Sequence, residues 1–142
     1  MRKIYFRADG SNAMGVGHIY RCCALAQILE SEFQCCFLLS KAAEKEIIAV
    51  VAAHFSEYQQ LNTDNEAQEV ANLLTSEDIA VLDGYHFDTE YQKIIKSSGA
   101  KLVCVDDIAQ YEFVADVVIN HAGGINADIY SLAPDTKLYL GP

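Results

Sequence analysis

His18 is the residue of this chain whose setting best suits chemistry. It stands near the end of the stretch 7–21, RADGSNAMGVGHIYR, behind Gly10, Gly15 and Gly17 and three residues before Arg21. The apolar run Ile4-Tyr5-Phe6 precedes the stretch and an amphipathic pattern follows it. That order predicts a strand-to-helix loop with a histidine on the first helical turn. Glycines let such a loop turn tightly and let a ligand approach the backbone. A helix N-terminus offers unpaired N–H groups and a partial positive charge, which favour phosphate or another anion. The same charge favours a neutral, basic imidazole over its protonated form.

Two familiar phosphate loops are excluded by the residues present. A P-loop needs Gly-x4-Gly-Lys-Ser/Thr. Gly10 and Gly15 have the spacing, but Val16 and Gly17 stand where lysine and hydroxyl belong. A dinucleotide fingerprint needs Gly-x-Gly-x-x-Gly, and Tyr20 occupies the third glycine position after Gly15 and Gly17. Neither ATP hydrolysis nor NAD binding is supported.

The elements that must position His18 follow from periodicity. A first strand is expected over 2–8 and a helix over 18–31, with Ile19, Cys22, Cys23, Ala26 and Leu29 as its inward stripe. The near-continuous apolar run 33–39 suits a parallel strand buried on both faces. A helix over 42–53 turns Ile47, Ile48, Val50 and Val51 inward, and a short strand falls at 56–61. A helix over 65–74 places Ala67, Val70, Ala71 and Leu74 on one face. Strands are expected at 79–82, 101–105, 117–119 and 138–140, with a helix over 88–97 stopped by Gly99. Strand and helix alternate almost throughout. The expected fold is therefore α/β, doubly wound, with a mainly parallel sheet and helices on both faces, in one domain over 1–142. Ligands of such folds bind outside the carboxyl ends of the strands. Asp9, His18, Asp83, Tyr85, His86, Asp106, Asp107, Asn120 and His121 all fall at that end.

Composition narrows the partners. The 142 residues are 51% hydrophobic, enough for a sizeable core. A formal net charge of −10 argues against nucleic acid and anionic membrane surfaces. No apolar run reaches membrane-spanning length, and the N-terminus lacks a signal-peptide core. The five cysteines form neither a disulfide framework nor a C-x-x-C zinc pattern, and they are read as small buried side chains in a reducing cytoplasm. His18 and Cys22 have i, i+4 spacing, but no further ligands stand at supporting spacing for a metal.

Taken together, Arg7-Ala8-Asp9 followed by Gly15-x-Gly17-His18-x-x-Arg21-Cys22 resembles the UDP-sugar hydrolases of pseudaminic-acid biosynthesis, a group that includes spore-coat polysaccharide proteins. Leu82-Asp83-Gly84-Tyr85 is similar to that family's Asp-x-Tyr segment. Val105-Asp106-Asp107-Ile108-Ala109 is similar to its strand-end acidic pair, and Ile119-Asn120-His121 and Leu140-Gly141-Pro142 stand where similar segments are expected. The resemblance spans this chain but only the N-terminal half of the family, whose C-terminal domain holds most of the UDP contacts. It implies the Rossmann-like N-terminal half of a GT-B architecture, with a C-terminal domain or partner chain to complete the site.

The resemblance also implies a reaction. UDP leaves the anomeric carbon of a diacetamido-trideoxy-altrose as water attacks, and no cofactor is involved. His18 matches the family's proposed general base, and Tyr85 matches a tyrosine of its active site. The ligand-contacting positions would be Arg7, Asp9, Gly15, Gly17, Arg21, Asp83, Asp106 and Asn120. Either Asp9 or Asp83 could orient the imidazole by accepting its other N–H. Asp106-Asp107 has a second reading as the cap of a following turn, and His54, His86 and His121 read as surface or supporting residues. Two rival functions stay open. In the acceptor half of a GT-B glycosyltransferase, the histidine would deprotonate a sugar hydroxyl. In a non-catalytic sugar-binding or assembly subunit, a site would form only with a partner.

Overall fold

Parity along the strands decides which side chains meet which helices. The computed structural model describes residues 1–11, 13 and 15–142. The elements follow in the order β1 (Lys3–Ala8), α1 (Gly17–Leu29), β2 (Gln34–Leu39), α2 (Lys45–His54), β3 (Tyr58–Gln60), α3 (Glu66–Leu73), β4 (Ile79–Asp83), α4 (Thr89–Lys96), β5 (Lys101–Val105), β6 (Glu112–Phe113), β7 (Val117–Asn120), β8 (Ser131–Leu132) and β9 (Lys137–Leu140). A 3-10 turn, Ala127–Ile129, precedes β8.

Among the described residues, seven strands form one parallel sheet in the order β3-β2-β1-β4-β5-β7-β9. The expected doubly wound α/β architecture is the one observed. The chain first winds outward from β1 to β3, then crosses back to β4 and continues the other way. The order therefore reverses between β1 and β4, which leaves a crevice at their carboxyl ends. The short parallel pair β6–β8 was not foreseen. Two residues per strand carry too little periodicity to read.

Each face of the sheet has its own core. Ile4, Phe6 and Ala8 of β1, Phe37 and Leu39 of β2, and Val81 of β4 pack with Ile19, Cys22, Cys23 and Ala26 of α1 and with Ile47 and Val51 of α2. Cys36 and Leu38, Ala80 and Leu82, and Leu102 and Cys104 pack on the other side with Val70 of α3, Leu74 just after it, and Ile95 of α4. Strand side chains alternate between faces, so Asp83 shares the α1 face with Val81. Arg7 shares the opposite face with Tyr5. This alternation separates the two charged networks described below.

All four α helices fall where the apolar periodicity puts them, with ends shifted by up to three residues. The predicted inward stripe of α1 is buried except at Leu29, which is half-buried near the helix end. In α2, Ile47 and Val51 are buried while Ile48 and Val50 are only half-buried. The five cysteines are free thiols, four of them buried. No helix among the described residues is long and apolar enough to cross a membrane.

Leu102 lies at the centre of the second core and has no exposed surface. Leu102→Ala is expected to cost about 2–5 kcal/mol of stability, from lost burial and the cavity left behind. Urea unfolding checks this, and a loss under about 1 kcal/mol would mean that the neighbours close the gap.

Candidate functional site

His18 stands on the first turn of α1, and its imidazole reaches the end of β4. Its Nδ1 lies 2.7 Å from Asp83 Oδ1. Asp83 is fully buried, and Arg21 clamps it through Nε to Oδ2 at 2.6 Å and Nη2 to Oδ1 at 2.5 Å. Arg21 sits one turn below His18 on the same helix, so the two side chains share a face. A carboxylate only accepts, so the partner assigns the proton to His18 Nδ1. Arg21 Nη2 is also 3.1 Å from that nitrogen, but with Nδ1 protonated its hydrogens serve Asp83. The arrangement leaves His18 Nε2 with a lone pair and no protein partner among the described residues.

Of the two carboxylates that could orient the imidazole, the structure thus places Asp83 on it. Asp9 has different partners. It accepts from both terminal nitrogens of Arg7, at 2.6 and 3.2 Å, and lies 3.2 Å from His86 Nε2.

The Arg7 side chain is an internal tie. Its five N–H donors meet Asp9, Glu66 and the Ala8 carbonyl. Only 1% of the residue is exposed, and the guanidinium stacks over Phe87. Burial works against this cation, but Glu66 and Asp9 outweigh it and hold its ionisation above the usual range. Glu66 also accepts from the Tyr91 hydroxyl. Arg7 was expected to contact a ligand, and here every donor is engaged inside the protein. The reason is its parity: it faces α3 and α4, while His18 and Arg21 come from the helix on the other face.

Tyr85 stands edge-on to His18, with ring centroids 4.7 Å apart. Its hydroxyl donates to Asp107 Oδ2 at 3.2 Å, and its carbonyl accepts from the Tyr111 hydroxyl at 2.7 Å. Burial, then the Asp107 carboxylate, raise the phenol above its ordinary 10.0, so it stays protonated and donates. Asp107 Oδ1 is buried with no hydrogen-bond partner among the described residues.

Two clefts open here at the carboxyl edge of the sheet. One, about 230 Å³, is lined by Asp9, His18, Gly84, Tyr85, His86 and Tyr111. The other, about 290 Å³, is lined by Gly17, His18, Arg21, Tyr85 and Asp107. His18 and Tyr85 belong to both. Arg21 Nη1 has no protein partner among the described residues and remains able to meet a ligand in the second cleft. A larger cavity of about 520 Å³ lies near Met1, Phe33 and His54, away from these residues.

The glycines contribute geometry. Gly15 has φ +88°, a conformation that L side chains rarely adopt, and it exchanges two backbone hydrogen bonds with Ser11. A Cβ on Gly10 would meet the Gly15 carbonyl oxygen at 2.9 Å. Gly17 is the first residue of α1 and borders the second cleft. Val16, at the N-cap position, makes no side-chain capping bond to that helix start.

Asp106 and Asn120 lie outside the lining of both clefts. Asp106 Oδ2 accepts from the amides of Ile108 and Ala109 and from the Tyr130 hydroxyl. Asn120, fully buried, donates to that hydroxyl and accepts from the Ala122 amide. They pin a turn, as the capping reading of Asp106 anticipated, and burial followed by Asp106 pushes the Tyr130 phenol up to about 12.

Sequence reasoning set His86 aside and gave Tyr111 no notice. His86 follows directly on Asp83-Gly84-Tyr85, so its position past a strand end was the available signal. Tyr111 carried none, because it comes to the cleft through an irregular loop. Among the described residues, no group of three or more His, Cys, Asp or Glu gathers as metal ligands. Comparison with protein-family models, with curated proteins and with solved structures finds no match.

Proposed function

We propose that this chain carries the general base of a nucleotide-sugar hydrolase, acting on a UDP-activated diacetamido-trideoxy-hexose. The observation that carries the reading is the Arg21–Asp83–His18 relay, with the imidazole's remaining nitrogen bordering two clefts. Neutral His18 takes a proton from water through Nε2 as the water attacks the anomeric carbon. The C1–O bond breaks, and the electron pair leaves with UDP, which departs readily without a protonating acid. Asp83 holds the ring and stabilises the imidazolium that forms. Arg21 holds Asp83. Tyr85 supports the ring edge and keeps its hydroxyl on Asp107. Backbone access at Gly15 and Gly17 suits the approach of a substrate. A C-terminal domain or partner chain supplies further nucleotide contacts, as in the family this sequence resembles.

The test is to incubate the chain with UDP-2,4-diacetamido-2,4,6-trideoxy-β-L-altrose in oxygen-18 water, with and without a C-terminal domain from a hydrolase of that family. Expected are UDP and a free sugar carrying the label. His18→Ala should lower kcat about 10²- to 10⁴-fold with the fold intact. Label in the nucleotide would mean attack at phosphorus and would reject this mechanism. A transferred glycoside in place of free sugar would make the same histidine the base of a glycosyltransferase. No release in either mixture would favour a binding role.

A further inference from the structure

The cleft beside His18 is bordered by a second imidazole with a carboxylate close to one ring nitrogen. His86 Nε2 lies 3.2 Å from Asp9 Oδ2, and Asp9 is in turn held by Arg7. Asp9, His86 and His18 thus line one cleft, with Arg7 behind Asp9 and the Arg21–Asp83 pair behind His18. A carboxylate at that distance favours the proton on Nε2, which leaves a neutral His86 its lone pair on Nδ1. That nitrogen has no protein partner among the described residues. The ring lies against Phe87, with centroids 4.0 Å apart, which fixes its plane. Gly84 leaves the Nδ1 edge bare: a Cβ there would stand 3.5 Å from Nδ1 and 3.0 Å from Phe87 Cε2.

We infer that His86 is a specificity-determining residue of this cleft, its Nδ1 accepting a hydrogen bond from a hydroxyl or amide N–H of the bound sugar. The inference rests on the nucleotide-sugar reading above. It places the sugar, rather than the diphosphate, beside His86, because a lone pair repels a phosphate oxygen and welcomes O–H or N–H. Acetamido groups and ring hydroxyls are donors of that kind.

The surroundings keep His86 neutral. Burial lowers its ionisation from the ordinary 6.5, and Arg7 and His18 act in the same direction, against Asp9 and Glu66. Tyr85 and Tyr111 share the first cleft, and Asp64, Glu66, Asp88, Glu90 and Tyr91 line with His86 a neighbouring cleft on the side of α3 and α4. As pH falls through the lowered value, Nδ1 gains a proton and can no longer accept. Affinity for the sugar should then weaken on the acid side.

The experiment uses the whole chain labelled with ¹⁵N-histidine, and the probe is free 2,4-diacetamido-2,4,6-trideoxy-altrose. Expected is an Nε2–H tautomer for His86, with its Nδ1 resonance moving upfield as the sugar is added. His86→Gln keeps a donor near Asp9 but has no acceptor at the Nδ1 position, and should raise KM for the parent nucleotide sugar about tenfold with kcat little changed. His86→Asn restores an acceptor near the Nδ1 position and should recover most of that loss. A Nδ1–H tautomer, or an Nδ1 resonance indifferent to the sugar, overturns the inference. An Nδ1 response without UDP release would keep the sugar-binding role and reject the hydrolase. UDP release at an unchanged KM in His86→Gln would keep the hydrolase and reject this role.

Discussion

Asp83→Asn is expected to lower kcat for UDP release about 10³- to 10⁴-fold while leaving KM nearly unchanged, by analogy with loss of the aspartate in a Ser-His-Asp triad. An asparagine at 83 can turn its amide N–H towards His18 Nδ1. The imidazole then accepts at Nδ1 and carries its proton on Nε2, the nitrogen that must take a proton from water. The base is present but in the wrong tautomer. The same change removes the negative charge that the forming imidazolium needs and that Arg21 now neutralises at 2.5 and 2.6 Å. Steady-state UDP release, with circular dichroism to verify the fold, checks the effect. A loss smaller than about tenfold would show that Asp83 is a structural partner of Arg21 and that His18 is not the base.

Arg7→Leu is expected to be the most destabilising of the substitutions named here, by about 3–5 kcal/mol. Arg7 is only 1% exposed and is the cation between Asp9 and Glu66. Its removal leaves two neighbouring carboxylates, each with about a quarter or less of its side chain exposed, without their counter-charge. Arg7→Lys should recover only part of the loss. An ammonium is a point charge, and it cannot replace five donors arranged in a plane. Denaturant unfolding measures both variants. Equal stability of Arg7→Leu and the parent would mean that solvent reaches Asp9 and Glu66 well enough to replace the guanidinium. Because Asp9 also lies 3.2 Å from His86 Nε2, Arg7→Leu should disturb the sugar side of the cleft before it disturbs His18.

The amino-acid pattern carried much of this architecture by itself. Apolar runs such as Cys35–Leu39 suited buried strands, and the i, i+3, i+4 stripes of α1 and α3 suited helix faces. Gly10, Gly15 and Gly17 ahead of His18 marked a tight strand-to-helix loop, and the alternation of strand and helix set the parallel order. These features are local, or repeat with the period of their element, so they are visible before the chain folds. The collection of Asp9, His18, Asp83 and Tyr85 at one edge of the sheet was legible for the same reason, since each lies at a strand end or in the loop and helix start that follow one.

Partner choice among those residues was decided by the tertiary structure. Asp9 and Asp83 were equivalent as sequence, each a carboxylate at or just past a strand end. Register set Ala8 opposite Asp83, both on the face that α1 covers, so Asp83 meets His18 and Arg21. Arg7 resembled a ligand-binding residue because it opened the motif, yet its parity turned it towards Glu66 on α3, 59 positions away. His86 read from the sequence as a surface or supporting residue at the carboxyl end of the strands. It became informative only when folding brought Asp9 against one ring nitrogen, left the other uncovered above Gly84, and set both in the cleft that His18 borders. Such contacts depend on strand register and on the packing of helices from opposite faces, and neither leaves a period in the sequence.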